Sequence, residues 1–264
     1  MKVVIFCGGL GIRMGEATQR IPKPMIPIGG RPILWHIMKY YAAWGHKDFI
    51  LCLGYKAEAV KEFFLTYNEA LANDFVLSGG GTDIKLLRSD IDEWTITFVD
   101  TGMQATIGER LKAVEPFIGD DEVFLATYGD GLTDAPLDEM IERFGHEQKT
   151  AMFLRVRPTI NMHVVESDEA GLVRSIADIS EAGVFINGGF FVLSRDVLDE
   201  IEPGDELVDR PFERLIARGE LVAYQYDGFW APMDTLKDKQ RLETLWESGR
   251  APWRLDAPHL DGFG

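Results

Sequence analysis

Two cations and two carboxylates, widely separated along the chain, carry the chemistry that has to be placed. Arg13 follows the glycine run Gly8-Gly9-Leu10-Gly11, which begins where the apolar stretch Val3-Val4-Ile5-Phe6-Cys7 ends. Lys23 lies between Pro22 and Pro24, whose fixed φ angles hold the intervening backbone extended. Residues without a Cβ let a ligand approach the backbone closely, and fixed cations at such a mouth suit phosphate oxygens. Asp130 stands between Gly129 and Gly131 after a buried-strand pattern, and Asp234 closes the run Phe229-Trp230-Ala231-Pro232-Met233. Taken singly, Asp130 reads as a turn former or as a ligand at a strand end, and Asp234 as a helix N-cap or a ligand. Facing one phosphate site together, they suit Mg²⁺, which takes few carboxylates and completes its shell with substrate oxygens.

The glycine run matches neither of two familiar phosphate loops. Met14 stands where a dinucleotide fingerprint has its third glycine, no acidic residue closes a second strand about twenty residues on, and no Gly-Lys-Ser/Thr follows. Asn187-Gly188-Gly189, inside a strand-like pattern, reads as a bulge or as close backbone approach to a ligand. The histidines (His36, His46, His146, His163 and His259) show no metal-ligand spacing, and no serine–histidine–acid arrangement emerges.

The elements that must position these residues alternate. Apolar periodicity predicts strands at 3–7, 48–55, 94–99, 122–128 and 151–156, interleaved with helices at 32–44, 56–67, 106–117 and 137–144. This is the pattern of parallel βαβ units. Residues 68–93 read as a loop excursion with short strand pieces. From about 157 the chain turns β-rich, with strand pieces at 161–165, 172–176 and 184–186, an interruption at Asn187-Gly188-Gly189, and resumption at 190–193. A helix at 211–217, a strand at 221–226, a helix at 236–246 and a loosely held tail at 251–264 complete the reading.

A net charge of −16, from 27 basic and 43 acidic residues, argues against a nucleic-acid surface, which needs a basic footprint. No apolar stretch approaches the roughly 18 residues of a membrane span, and the strand-like start without a cleavage site predicts no signal peptide. Cys7 and Cys52, both in apolar runs, read as buried free thiols of a cytoplasmic protein.

These motifs, in order over about residues 1–254, resemble the sugar-1-phosphate nucleotidyltransferases, and within them the cytidylyl branch. The resemblance rests on Gly8-Gly9-Leu10-Gly11-Ile12-Arg13, Pro22-Lys23-Pro24-Met25, Gly29-Gly30-Arg31-Pro32-Ile33-Leu34-Trp35-His36, Val99-Asp100-Thr101-Gly102, Tyr128-Gly129-Asp130-Gly131, Ile186-Asn187-Gly188-Gly189-Phe190 and Gly228 to Thr235. It implies a Rossmann-like, mostly parallel sheet flanked by helices, the nucleotide-diphospho-sugar transferase fold, with a smaller β-rich acceptor region. The nucleotide half would span about 1–156 and the acceptor half about 157–250, followed by the tail. It further implies Mg²⁺-dependent transfer of a cytidylyl group from CTP to a sugar 1-phosphate, glucose 1-phosphate by default, with release of pyrophosphate, in a cytoplasmic homo-oligomer that binds neither nucleic acid nor membrane.

Carried over residue by residue, the resemblance makes Arg13 and Lys23 catalytic. It assigns Gly8, Gly9, Gly11, Arg13, Lys23, Gly108, Arg110 and Asp130 to the nucleotide, Tyr128, Asp178, Asn187 and Gly188 to the acceptor, and Asp130 and Asp234 to the metal. The chain departs from the family's Glu-Lys-Pro run, placing Asp178 at the glutamate and Ile179 at the lysine. That departure leaves a different phosphorylated acceptor, or a binding protein without turnover, as alternatives.

Overall fold

The computed structural model describes residues 1–8, 21–160 and 162–255. Its centre is a seven-stranded sheet in the order β14-β10-β13-β8-β1-β4-β7. The strands are β1 (Lys2–Phe6), β4 (Asp48–Leu53), β7 (Thr95–Asp100), β8 (Val123–Tyr128), β10 (Ala151–Val156), β13 (Ile186–Ser194) and β14 (Leu221–Tyr226). Only β13 runs against its neighbours; the other pairings are parallel. Alternate residues of β1 go to opposite faces, Val3 and Ile5 into one buried cluster and Val4 and Phe6 into the other. This two-sided burial explains why the strand reads as a continuous apolar run.

Helix α1 (Ile33–Ala43) covers one face. Pro32 precedes it, Ile33, Ile37 and Tyr41 recur on its buried side, and Gly45 at φ 85° ends it. The next helices are α2 (Ala57–Leu65), the single turn α3 (Glu69–Ala72), α4 (Ile107–Ala113), α5 (Glu115–Ile118) and α6 (Leu137–Glu147), followed by α7 (Arg210–Arg218) and α8 (Leu236–Glu247). The single helix predicted over 106–117 is two: α4 stops at Val114, and Pro116 sits in the first turn of α5, where its missing N–H costs nothing. The excursion at 68–93 contains α3 and a hairpin of β5 (Phe75–Ser78) with β6 (Asp83–Leu86).

Asn187-Gly188-Gly189 does not break the strand. β13 passes through it in nine residues, and against β10 the pairing moves from Arg155↔Asn187 to Phe153↔Phe191, so Gly188 to Phe190 bulge opposite Leu154. Gly189 takes φ 73° there. The β-rich stretch before it is a hairpin of β11 (His163–Ser167) and β12 (Val173–Asp178); Asn161, within the first predicted piece, lies outside the described residues.

The tail reading needs correction. Trp253 is 2% exposed, its ring stacks on Phe229 at 5.5 Å, and its Nε1 donates to His36 Nδ1 at 3.4 Å. One large ring buried in the core anchors residues that show no periodicity; residues 256–264 lie outside the described ones.

Candidate active site

The C-terminal ends of the parallel strands gather the site, as expected for an open α/β sheet. β8 ends at Tyr128 and the chain turns through Gly129 and Asp130 into the short strand β9 (Gly131–Thr133). A Cβ on Gly129 would lie 2.9 Å from the Phe6 carbonyl oxygen and 3.1 Å from Pro24 Cγ, so the turn can be this tight only with glycine. β9 pairs with β15 (Trp230–Pro232), Pro232 opposite Gly131, and the Met233 amide donates to the Asp130 carbonyl at 2.9 Å. This ribbon, which sequence periodicity does not reveal because each strand is three residues long, brings Asp234 beside Asp130 across more than a hundred residues of chain.

Lys23 occupies the point where the two carboxylates meet. It opens a 3₁₀ turn, Lys23–Met25, after an extended Pro22. Its Nζ lies 2.7 Å from Asp130 Oδ2 and 2.6 Å from Asp234 Oδ1. Burial on its own would lower the lysine's pKa; the two carboxylates outweigh it, so the net shift is upward and the ammonium stays charged. Thr235 and Asp238 form a capping box at the start of α8, and Asp238 also accepts from the Asp234 amide at 3.1 Å. The N-cap role open to Asp234 thus belongs to Thr235, leaving the Asp234 carboxylate for the site.

Beneath Gly8 lies a buried cation. Arg110, on α4, is 2% exposed and donates to the Leu53 carbonyl at 3.1 Å, Thr101 Oγ1 at 2.7 Å and the Met103 carbonyl at 3.4 Å. Its Nε has no partner among the described residues, and burial pushes its pKa down. A Cβ on Gly8 would fall 2.1 Å from Arg110 Nη1, and one on Gly54 2.9 Å away, so both glycines make room for the guanidinium. A desolvated cation held only by neutral oxygens is costly. Gly108 faces elsewhere: a Cβ there would meet the Asp205 carbonyl oxygen at 2.4 Å, and Thr106 Oγ1 donates to that same oxygen at 2.6 Å. Gly108 therefore lets α4 dock closely and set Arg110 beneath Gly8. Thr101 falls in a motif the sequence marks, but its hold on Arg110 appears only when β7 and α4 are side by side.

Gly9, Gly11 and Arg13 lie outside the described residues. The acceptor candidates divide. Tyr128 and Asn187 are hydrogen-bonded neighbours; burial pushes the Tyr128 phenol upward, and Asn187 Oδ1 accepts from the Gly189 amide at 2.9 Å. Gly188 lies against the Trp230 indole, whose Nε1 donates to its carbonyl at 2.8 Å. Asp178 instead lines a cleft of about 390 Å³ with Trp230, Arg157 and Arg241, a cleft that neither Tyr128 nor Asn187 borders. The Ser180 hydroxyl and amide hold its carboxyl below the usual range. Cys7 and Cys52 are buried free thiols whose pKa values are pushed up by burial, that of Cys52 to about 12, so both are protonated core residues.

The fold and this clamp define a class. Residues 2–235 match the family model described as Nucleotidyl transferase, and the chain belongs to that family. The glucose-1-phosphate cytidylyltransferase of Salmonella typhi is 43% identical over 256 residues, covering 96% of this chain and 99% of that protein. A D-glycero-α-D-manno-heptose 1-phosphate guanylyltransferase of Campylobacter jejuni is 29% identical, covering 83% and 89%. Among solved structures, a UDP-glucose pyrophosphorylase in complex with UDP-glucose superposes with a TM-score of 0.70 at 16% identity, over 94% of this chain and 99% of that one; this likeness concerns the fold. No helix among the described residues is long and apolar enough to cross a membrane.

Proposed function

We propose that this chain is a cytoplasmic cytidylyltransferase that joins CTP to a sugar 1-phosphate, with glucose 1-phosphate as the default acceptor. The observation that carries the reading is Lys23 bridging Asp130 and Asp234 at the sheet's C-terminal edge, in a chain whose cytidylyltransferase relative covers nearly its full length. In the reaction, a phosphate oxygen of the acceptor attacks the α-phosphorus of CTP. The bond from that phosphorus to its bridging oxygen breaks, and the electron pair leaves on pyrophosphate. Such transfer needs positioning and charge neutralisation more than covalent work by the protein.

Two oxygen donors converging on one cation suit Mg²⁺, which takes few carboxylates and completes its shell with substrate oxygens. Asp130 and Asp234 would hold the ion, which when bound neutralises triphosphate charge. Lys23 then meets the charge that grows on the α-phosphate, Arg110 with Gly8, Gly9 and Gly11 receives the nucleotide, and Arg13 holds the departing pyrophosphate. Tyr128, Asn187 and Gly188 face the acceptor. Homo-oligomeric assembly belongs to the same reading.

Pyrophosphate release from CTP, compared with UTP, GTP and dTTP over a panel of sugar 1-phosphates, tests the proposal. Turnover confined to CTP is expected; folded protein that binds CTP and turns over no acceptor refutes it. A different phosphorylated acceptor is the second reading, because Ile179 brings no charge and, in the cleft that Asp178 lines, Arg157 is paired with Asp227 at 3.0 Å, leaving Arg241 as the other cation of that cleft among the described residues.

A further inference from the structure

A second cavity, of about 520 Å³, opens between α1, the turn Gly29–Gly30, the segment after β6 and the end of α8. Its volume is in the range of small-molecule sites. Lys23, Asp130 and Asp234 do not line it. Its wall is aromatic: Trp35, Trp246 and Trp253, with His36 in edge contact with Trp35 at 5.1 Å and Trp246 at 4.9 Å. Gly29 is part of this construction, since a Cβ there would fall 2.0 Å from Trp246 Nε1.

The rim is basic in a chain of net charge −16. Arg31, Lys39, Arg88 and Arg254 line it, against Asp90 as the single acidic residue among the described ones. Asp90 is engaged by Lys39, at 3.0 Å, and by the Tyr67 hydroxyl. Arg31 and Arg88 have no ion pair among the described residues. The Arg31 guanidinium is set between two rings, 5.6 Å from the Trp35 centroid and 5.4 Å from that of Tyr67. Its faces are thereby occupied and its Nη2 donates to the Ala72 carbonyl at 3.2 Å, while its remaining in-plane N–H donors suit an anion.

We propose that this cavity is a second ligand site, for a nucleoside phosphate, whose base takes the indole wall and whose phosphate takes Arg31 and Arg88. An inorganic anion would leave the tryptophan wall unused, and an apolar molecule would leave two arginines without counter-charge. Indole and guanidinium surfaces serve bases and phosphates respectively. The choice of a cytidine nucleotide as probe rests on the cytidylyl reading; the binding itself does not.

Calorimetric titration of the full chain with CDP, GDP and inorganic phosphate tests it, with tryptophan fluorescence followed in parallel. Two nucleotide-binding steps per chain are expected. Arg88→Gln weakens one of them at least tenfold and reduces its fluorescence change, whereas Lys23→Met leaves that step unaltered. Arg88 is exposed on its loop, so Arg88→Gln preserves the fold, which a thermal melt checks. A single step that Arg88→Gln does not alter overturns the proposal, as does inorganic phosphate binding at the Arg88-dependent step as tightly as CDP. If GDP takes that step and no acceptor is turned over with CTP, the cytidylyl reading fails and the second site stands.

Discussion

Replacing Lys23 with methionine should move activity and metal affinity in opposite directions. The Asp130 and Asp234 oxygens, 2.7 and 2.6 Å from one nitrogen, are at most about 5 Å apart. At that separation two unit negative charges repel by about 3 kcal/mol in an effective dielectric of about 20. The carboxylate side chains are 32% and 38% exposed, and solvent screening reduces this to roughly 1–2 kcal/mol. Lys23→Met leaves that repulsion uncompensated, so a divalent cation gains it on binding, a tightening of about five- to thirtyfold. Removing a charged donor from the reacting phosphate should meanwhile lower kcat by about 10²–10³. Mn²⁺ titration followed by electron paramagnetic resonance, beside pyrophosphate release, reads both quantities. Variant protein that loses Mn²⁺ binding together with activity, or that keeps turnover within about threefold of wild type, refutes the arrangement.

Gly8→Ala forces a Cβ to within 2.1 Å of Arg110 Nη1; CTP affinity should fall at least tenfold by calorimetry while the melting temperature changes little, and unaltered affinity would remove Arg110 from the nucleotide site. His36 has its pKa lowered to about 4, burial being the main cause. Because the folded value is depressed below the unfolded value of about 6.5, the neutral ring's contribution is complete above that pH and is lost as pH falls toward 4, about 2 kcal/mol of it between pH 7 and 5. Urea midpoints should therefore drop over that window in wild type and drop less in His36→Gln; parallel slopes count against it. Trp253→Ala should cost about 3 kcal/mol in a denaturant titration, and a loss under about 0.5 kcal/mol would restore the picture of a loosely held tail.

How much of this was legible in the sequence depends on where each residue's partners lie. The core strands were, because two-sided burial writes an unbroken apolar run into 48–53 and 123–128, and Lys23 stood out through its flanking prolines. What escaped detection depends on contacts between distant segments. The β9–β15 ribbon is too short for periodicity, yet it converts two ambiguous aspartates into one site. Gly8 was visible as a loop glycine, but only the placement of Arg110 beneath it explains why no larger residue fits. Gly188 and Gly189 looked like an interruption because a bulge and a break share one local pattern, and only the pairing with β10 separates them. Trp253, aperiodic in sequence, needed its partners Phe229 and His36 to become core.

The position of β13 bears on how the molecule is made. It lies between β8 and β10 and joins them, and it is synthesised after both. Until residue 194 has emerged, β8 presents an open edge and β10, whose other neighbour β14 comes later still, has no partner in the sheet. A nascent chain that ends before β13 thus carries two apolar strands with unpaired backbone, a state prone to self-association. The late strand acts as a keystone, so the two halves cannot be separated at residue 156 and expressed alone as soluble units. Chimeras that exchange acceptor halves between relatives should fold only when β13 travels with the β8 and β10 it was matched to.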